Sequence, residues 1–148
     1  MSRIRTALAL ALALCALHAL AQPTPVGLWR TIDDSSGKEK SLVRIVETDG
    51  VLSGTIEEQL DPAATPGALC DKCPDERKDK AILGLTIIRG AKASDDKTRW
   101  EGGDILDPDN GKVYRLRLTP VDGGKALEVR GYIGTPLFGR TQTWIRAE

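Results

Sequence analysis

The chain has 148 residues, with 21 basic and 21 acidic side chains, no net formal charge, and aromatic residues at only 4%. That length suits one domain around one core. Balanced charge without a basic block excludes the electrostatic footprint of a nucleic-acid binder.

Residues 1–21 divide into a basic start (Arg3, Arg5), an apolar run from Ala7 to Leu17 and a small-residue end, Ala19-Leu20-Ala21. This is the layout of a secretory signal peptide. His18 interrupts the run well short of the roughly 20 apolar residues that a membrane-crossing helix needs. We expect cleavage after Ala21 and a mature domain of residues 22–148, periplasmic or secreted. A lipid anchor is not expected, because Cys15 follows the bulky Leu14 inside the apolar run. Removing the leader also removes the single methionine, the single histidine and Cys15, leaving 127 residues with 19 basic and 21 acidic side chains. No later stretch is apolar enough to span a membrane as a helix, so the mature chain is not expected to be membrane-spanning.

From residue 22 onward, short β-rich runs alternate with turn chemistry and no stretch keeps a helical period. The runs cover 26–32, 41–48, 51–60, 81–89, 98–106, 112–119, 125–133 and 140–147. Between them lie Asp33-Asp34-Ser35-Ser36-Gly37, Thr48-Asp49-Gly50, Asp107-Pro108-Asp109-Asn110-Gly111 and Asp122-Gly123-Gly124. Asp-Gly and Asn-Gly pairs supply the positive φ that tight hairpins require, so sequence neighbours should pair antiparallel. Tyr114, Leu116 and Leu118 share one face of their strand, and Leu127, Val129, Gly131 and Ile133 share one face of theirs, opposite Glu128, Arg130 and Tyr132. Strands with one buried face stack as a sandwich or close as a barrel. Consecutive hairpins favour an all-β, single eight-stranded antiparallel up-and-down barrel. Gly54, Gly102, Gly103, Gly131 and Gly134 suit the bulges and bends that help a sheet close.

The longest irregular stretch, Asp61 to Lys80, holds three prolines and both mature cysteines. A loop of that length is usually functional or pinned. Cys70-Asp71-Lys72-Cys73-Pro74 in an oxidising compartment reads first as a structural disulfide. The alternatives are a redox-active pair, which needs a helix start that is not visible here, and a metal shared between chains. Asp107 to Gly111 superficially resembles a calcium loop but lacks the distal bidentate glutamate, so a hairpin turn explains it better. Without histidine, Ser-His and Cys-His nucleophile activation are excluded. Carboxylate pairs such as Glu57 with Glu58, or Glu101 with Asp104, remain in principle, but adjacent strand residues point to opposite faces. No cofactor, metal site or catalytic residue is expected.

Gly27-Leu28-Trp29 opens the first strand and Arg140-Thr141-Gln142-Thr143-Trp144-Ile145-Arg146 forms the last. A Gly-x-Trp with a last-strand arginine resembles the lipocalin closure, in which a guanidinium covers an indole. Gly27, Trp29, Trp144 and Arg146 are therefore candidate closure residues, with cation-π attraction and carbonyl capping as the physical gain. A wider set runs from Gly27 to Arg146: the Cys70/Cys73 pair, Gly84, Trp100 with Gly102-Gly103, Asp107-Pro108, Gly111, Tyr114, Arg130-Gly131-Tyr132, Gly134 and Gly139-Arg140-Thr141-Gln142. Jointly these residues resemble the bacterial family known as domain of unknown function 2147. That resemblance implies an exported lipocalin-like barrel and brings no established activity. Ala81 stands where many relatives carry proline.

Three function classes follow: a barrel binding a small, partly apolar ligand, an envelope protein acting through a protein-interaction surface, and, least supported, an enzyme. The candidate ligand site is Trp100, Tyr114, Arg130, Tyr132 and Arg140, where aromatics and arginines concentrate. Arginine beside an aromatic suits a ligand carrying a carboxylate or phosphate. Arg130 and Tyr132 lie opposite Leu127 and Val129, so if the latter point inward, the pair decorates the outer wall and marks a surface for an envelope protein partner.

Overall fold

The computed structural model describes residues 21–148; the expected leader, residues 1–21, lies outside the described residues except for Ala21. Eight antiparallel strands close into one barrel in sequence order: β1 (Gly27–Ile32), β2 (Glu39–Thr48), β3 (Val51–Gln59), β4 (Thr86–Ala93), β5 (Trp100–Asp107), β6 (Lys112–Val121), β7 (Ala126–Tyr132) and β8 (Gly139–Arg146). This is the eight-stranded up-and-down barrel that the hairpin spacing predicts. The ring is completed by β1 and β8, which pair only through Trp29 with Arg146 and Arg30 with Ile145.

Period-2 alternation sets what faces inward. Trp29, Val43, Ile45, Leu52, Leu116, Leu118 and Leu127 are fully buried in one core cluster. Removing a side chain such as Leu118 to alanine should cost roughly 2 to 5 kcal/mol in transfer and cavity terms. The β7 expectation needs two corrections. Ile133 lies beyond the end of the strand and is 66% exposed, while Tyr132, on the opposite parity from Val129, is buried.

The fourth strand also differs, starting at Thr86 rather than at residue 81. Residues 81–85 instead end the long β3–β4 connection. Ala81 bridges Leu69, Gly84 N–H donates to Ile56 O, and Leu85 O accepts from Ile56 N–H. The connection is held in place along its length. Cys70 and Cys73 form the expected disulfide, buried in the core cluster with Cα atoms 5.3 Å apart. Arg77, also buried, donates to both Asp75 oxygens and to Thr86 O. Lys72 Nζ donates to Asp109 O, tying the connection to the β5–β6 turn. At that contact a Cβ on Gly111 would lie 1.8 Å from Lys72 O, and φ there is +73°, so only glycine fits.

Strand direction separates two ends. The N-terminal lead-in and the turns at 49–50, 94–99 and 122–125 gather at one end. The connections 33–38, 60–85, 108–111 and 133–138 gather at the other.

Candidate functional site

The first end is closed by Arg146. Its guanidinium carbon lies 4.1 Å from the centroid of the Trp29 ring. Nε donates to Gly124 O at 2.5 Å, Nη1 to Val26 O at 3.0 Å and Nη2 to Thr24 O at 2.8 Å, so the planar group ties the N-terminal lead-in and the 122–125 turn to β8. Trp29 Nε1 donates to Pro25 O at 2.7 Å. Burial pushes the Arg146 guanidinium below its ordinary value, because no carboxylate offsets its desolvation. A Cβ on Gly27 would lie 2.4 Å from Arg146 Nη1, which is why glycine precedes this strand's tryptophan by two. Trp144 lies two positions further up β8, in the barrel core.

The second end is open. A cavity of about 900 Å³ descends from the four connections into the upper half of the barrel. Its deep wall is apolar, formed by Ile56, Ile105, Val129 and the Trp144 indole. Polar groups are few and fixed there. Thr31 and Ser41 are buried, and their hydroxyls lie 2.8 Å apart while Ser41 N–H also donates to Thr31 Oγ1. Two hydroxyls carry two hydrogens and this pair uses one, which leaves one donor for a guest. Along β8 a polar chain climbs the wall. Trp144 Nε1 donates to Gln142 Oε1 at 3.1 Å, Gln142 Nε2 donates to Asp34 Oδ2 at 2.8 Å, and Arg140 Nη2 reaches the same oxygen at 3.2 Å.

Of the residues singled out from sequence, Tyr114, Tyr132 and Arg140 line this cavity. Trp100 does not. It starts β5, a strand that rises from the closed end, so it packs buried near the bottom beside Leu118. Arg130 lies on the outer wall, opposite in parity to Val129, and donates to Pro136 O and Thr141 Oγ1. Sequence reasoning missed Thr31, Ser41 and Gln142. Gln142 was accessible to the alternation, since Trp144 and Arg146 facing inward places Gln142 and Arg140 inward as well.

The rim is charged. Asp33, Asp34, Asp61, Asp107 and Asp109 line it against two cations, Lys40 and Arg140. Lys40 is bridged to Asp109 and Arg140 to Asp34. Burial pushes the Lys40 ammonium down, but its hydrogen bond to Asp109 and the fields of Asp109, Asp107 and Asp33 outweigh this and raise it. The backbone N–H of Ser36, then its hydroxyl, hold Asp33 below the ordinary carboxylate range. Among the described residues no group of three or more His, Cys, Asp or Glu side chains is placed to hold a metal ion. No helix among them is long and apolar enough to cross a membrane.

No curated protein matches the chain. Among solved structures it is similar to the Helicobacter pylori protein HP1028, described as belonging to the lipocalin family, with a TM-score of 0.73 at 20% identity over 85% of this chain and 84% of that one. At that identity the likeness shows a common barrel fold and nothing of the ligand. The sequence from residue 27 to residue 146, β1 through β8, matches a single family throughout, and the chain therefore belongs to the family described as an uncharacterized protein conserved in bacteria, DUF2147.

Proposed function

We propose that this barrel is an exported binding protein that holds one small, partly apolar molecule in its open-end cavity, without catalysing a reaction on it. The observation that carries the reading is the cavity itself. A volume of about 900 Å³ lies within the range of small-molecule sites, and its apolar depth with a few placed polar groups is their usual lining. The lipocalin-family fold of the Helicobacter pylori neighbour supports it as an analogy of architecture. Export rests on the leader pattern of residues 1–21. Intact mass of the protein from its native compartment should place the N-terminus at Gln22, and a retained leader would overturn that part.

Binding is tested with a neutral fluorescent probe, N-phenyl-1-naphthylamine, titrated into the mature protein. Gly131 offers the control. A Cβ there would meet Tyr114 Cβ at an ordinary 3.4 Å, so Gly131→Leu adds bulk to the cavity without a backbone clash. Saturable binding that Gly131→Leu weakens at least about tenfold is expected, the loss of about 1.4 kcal/mol. No binding, or equal binding by the variant, refutes the reading.

One observation favours a second reading, an envelope protein acting through an interaction surface. The β7–β8 loop exposes Leu137 (80%) and Phe138 (70%). If that loop seats a second copy of the chain, sedimentation should show a dimer that Leu137→Ser dissociates.

A further inference from the structure

The cavity is zoned by depth, and the zoning says more about its ligand than the volume does. Its lower wall offers apolar surface, the Trp144 ring and a single hydroxyl pair, Thr31 with Ser41, whereas its rim carries an excess of three negative charges. Both rim cations are already paired, Lys40 with Asp109 and Arg140 with Asp34. Asp33, Asp61 and Asp107 instead accept hydrogen bonds from neutral donors of their own turns. Asp33 takes Ser35 N–H, Ser36 N–H and Ser36 Oγ–H, Asp61 takes Ala63 N–H, and Asp107 takes Asp109 N–H and the Asn110 amide. Neutral donors orient a carboxylate without cancelling its charge. An anionic headgroup arriving at this rim would meet like charge and would have to displace an internal ion pair to reach a cation of the cavity lining. A cationic one meets carboxylates that outnumber the lining cations, together with the rings of Tyr114 and Phe138, which line the same mouth and attract a cation through their π faces.

We propose, building on the binding reading above, that the ligand is a cationic amphiphile: an apolar chain against Ile56, Ile105, Val129 and Trp144, and an amine or quaternary ammonium head at the rim. This reverses the carboxylate or phosphate that the arginine-rich second half of the sequence suggests. The carboxylates belong to separate turns and are not gathered as metal ligands among the described residues, which fits a broad organic cation better than a single metal ion. Ile133 and Phe138, exposed at the mouth although they line the cavity, are placed to cover the first methylenes below such a head.

The test uses the mature protein and three probes sharing one dodecyl chain: dodecyltrimethylammonium, dodecanol and dodecanoate, each titrated below its micelle-forming concentration. Dodecyltrimethylammonium should bind about tenfold more tightly than dodecanoate at low salt, a gap of about 1.4 kcal/mol. The gap should narrow at about 0.5 M salt, where the screening length falls to a few ångströms. It should narrow likewise in Asp33→Asn/Asp107→Asn and, separately, in Asp61→Asn. Asparagine keeps an acceptor oxygen for each turn, so the fold is retained while the charge is lost. Dodecanoate binding as tightly as the ammonium, or a preference indifferent to salt and to the aspartate variants, overturns this inference and leaves the binding barrel standing. Failure of all three probes together with the neutral naphthylamine overturns the binding reading itself.

Discussion

Replacing Arg146 by lysine keeps the positive charge and removes the planar fork, which isolates what the guanidinium geometry contributes to the closed end. Arg146 donates to three carbonyls belonging to Thr24, Val26 and Gly124 and stacks on Trp29. A lysine ammonium ends one atom group short of that fan and satisfies one of these carbonyls well. Each lost bond from a charged donor is worth about 1.5 kcal/mol at the low end for such bonds, chosen because the side chain is only partly buried. The lost stack adds about 0.5 to 1 kcal/mol. Arg146→Lys should therefore destabilise by about 3.5 to 4 kcal/mol and lower the thermal midpoint by about 15 °C. Urea unfolding followed by tryptophan fluorescence measures this, with an unchanged m value showing that both states keep their compactness. A double cycle with Trp29→Phe should return a coupling of about 1 kcal/mol. Because the cavity lies at the other end, the naphthylamine affinity of folded Arg146→Lys should match the wild type. A stability change within about 0.5 kcal/mol would refute the reasoning, since surface substitutions away from special features cost no more than that.

The Cys70–Cys73 ring is so short that chain entropy alone assigns it about 2 kcal/mol, so Cys70→Ser/Cys73→Ser should fold, with faster amide exchange across residues 60–85. Thiols that alkylate in the unreduced wild type would contradict this. Gly111→Ala should cost at least about 3 kcal/mol, from positive φ and collision with Lys72 O, and should detach the β3–β4 connection. A variant as stable as the parent would show that contact to be dispensable. Since its folded carboxyl titrates below the ordinary 3.8, the stability from Asp33's turn is present above that pH and lost as pH falls through the folded value. Dodecyltrimethylammonium affinity should accordingly survive acidification through 3.8 and fall only as pH passes below the lower folded value of Asp33. Affinity lost already above 3.8, with the circular dichroism spectrum intact, would mean that the Asp33 charge does not hold the head.

Much of the barrel was legible because its cues are local. Tyr114-x-Leu116-x-Leu118 and Leu127-x-Val129 alternate at the strand period, and Asp-Gly or Asn-Gly closes three of the hairpins. The fourth strand was misplaced where local and tertiary preferences part. Ile82, Leu83 and Leu85 look like strand residues but end a loop that bonds to Ala68 and Ile56, while Ala91-Lys92-Ala93, of weak β propensity, forms ladder rungs with β3 and β5. Tyr132 and Ile133 misled for a related reason. At a strand end the neighbouring loop, not parity, decides burial.

The candidate site was legible only in part, because barrel closure creates it from residues far apart in sequence. Asp33, Asp61 and Asp107 each have a sufficient local role, accepting the N–H groups of their own turns, so nothing in the sequence marks them as more than turn formers. The strand directions bring the three turns to one rim, and only there do their charges add. The arginines suffered the converse. Arg130 and Arg140 read as an anion-binding pair, yet lie ten residues apart on adjacent strands whose register pairs Arg130 with Thr141 and Arg140 with Gly131, one outside the wall and one inside it, paired to Asp34. Charge counted along the chain and charge summed over a cavity wall are thus different quantities. The second one selects a ligand, because a headgroup responds to the field at the mouth and not to the composition of any one strand.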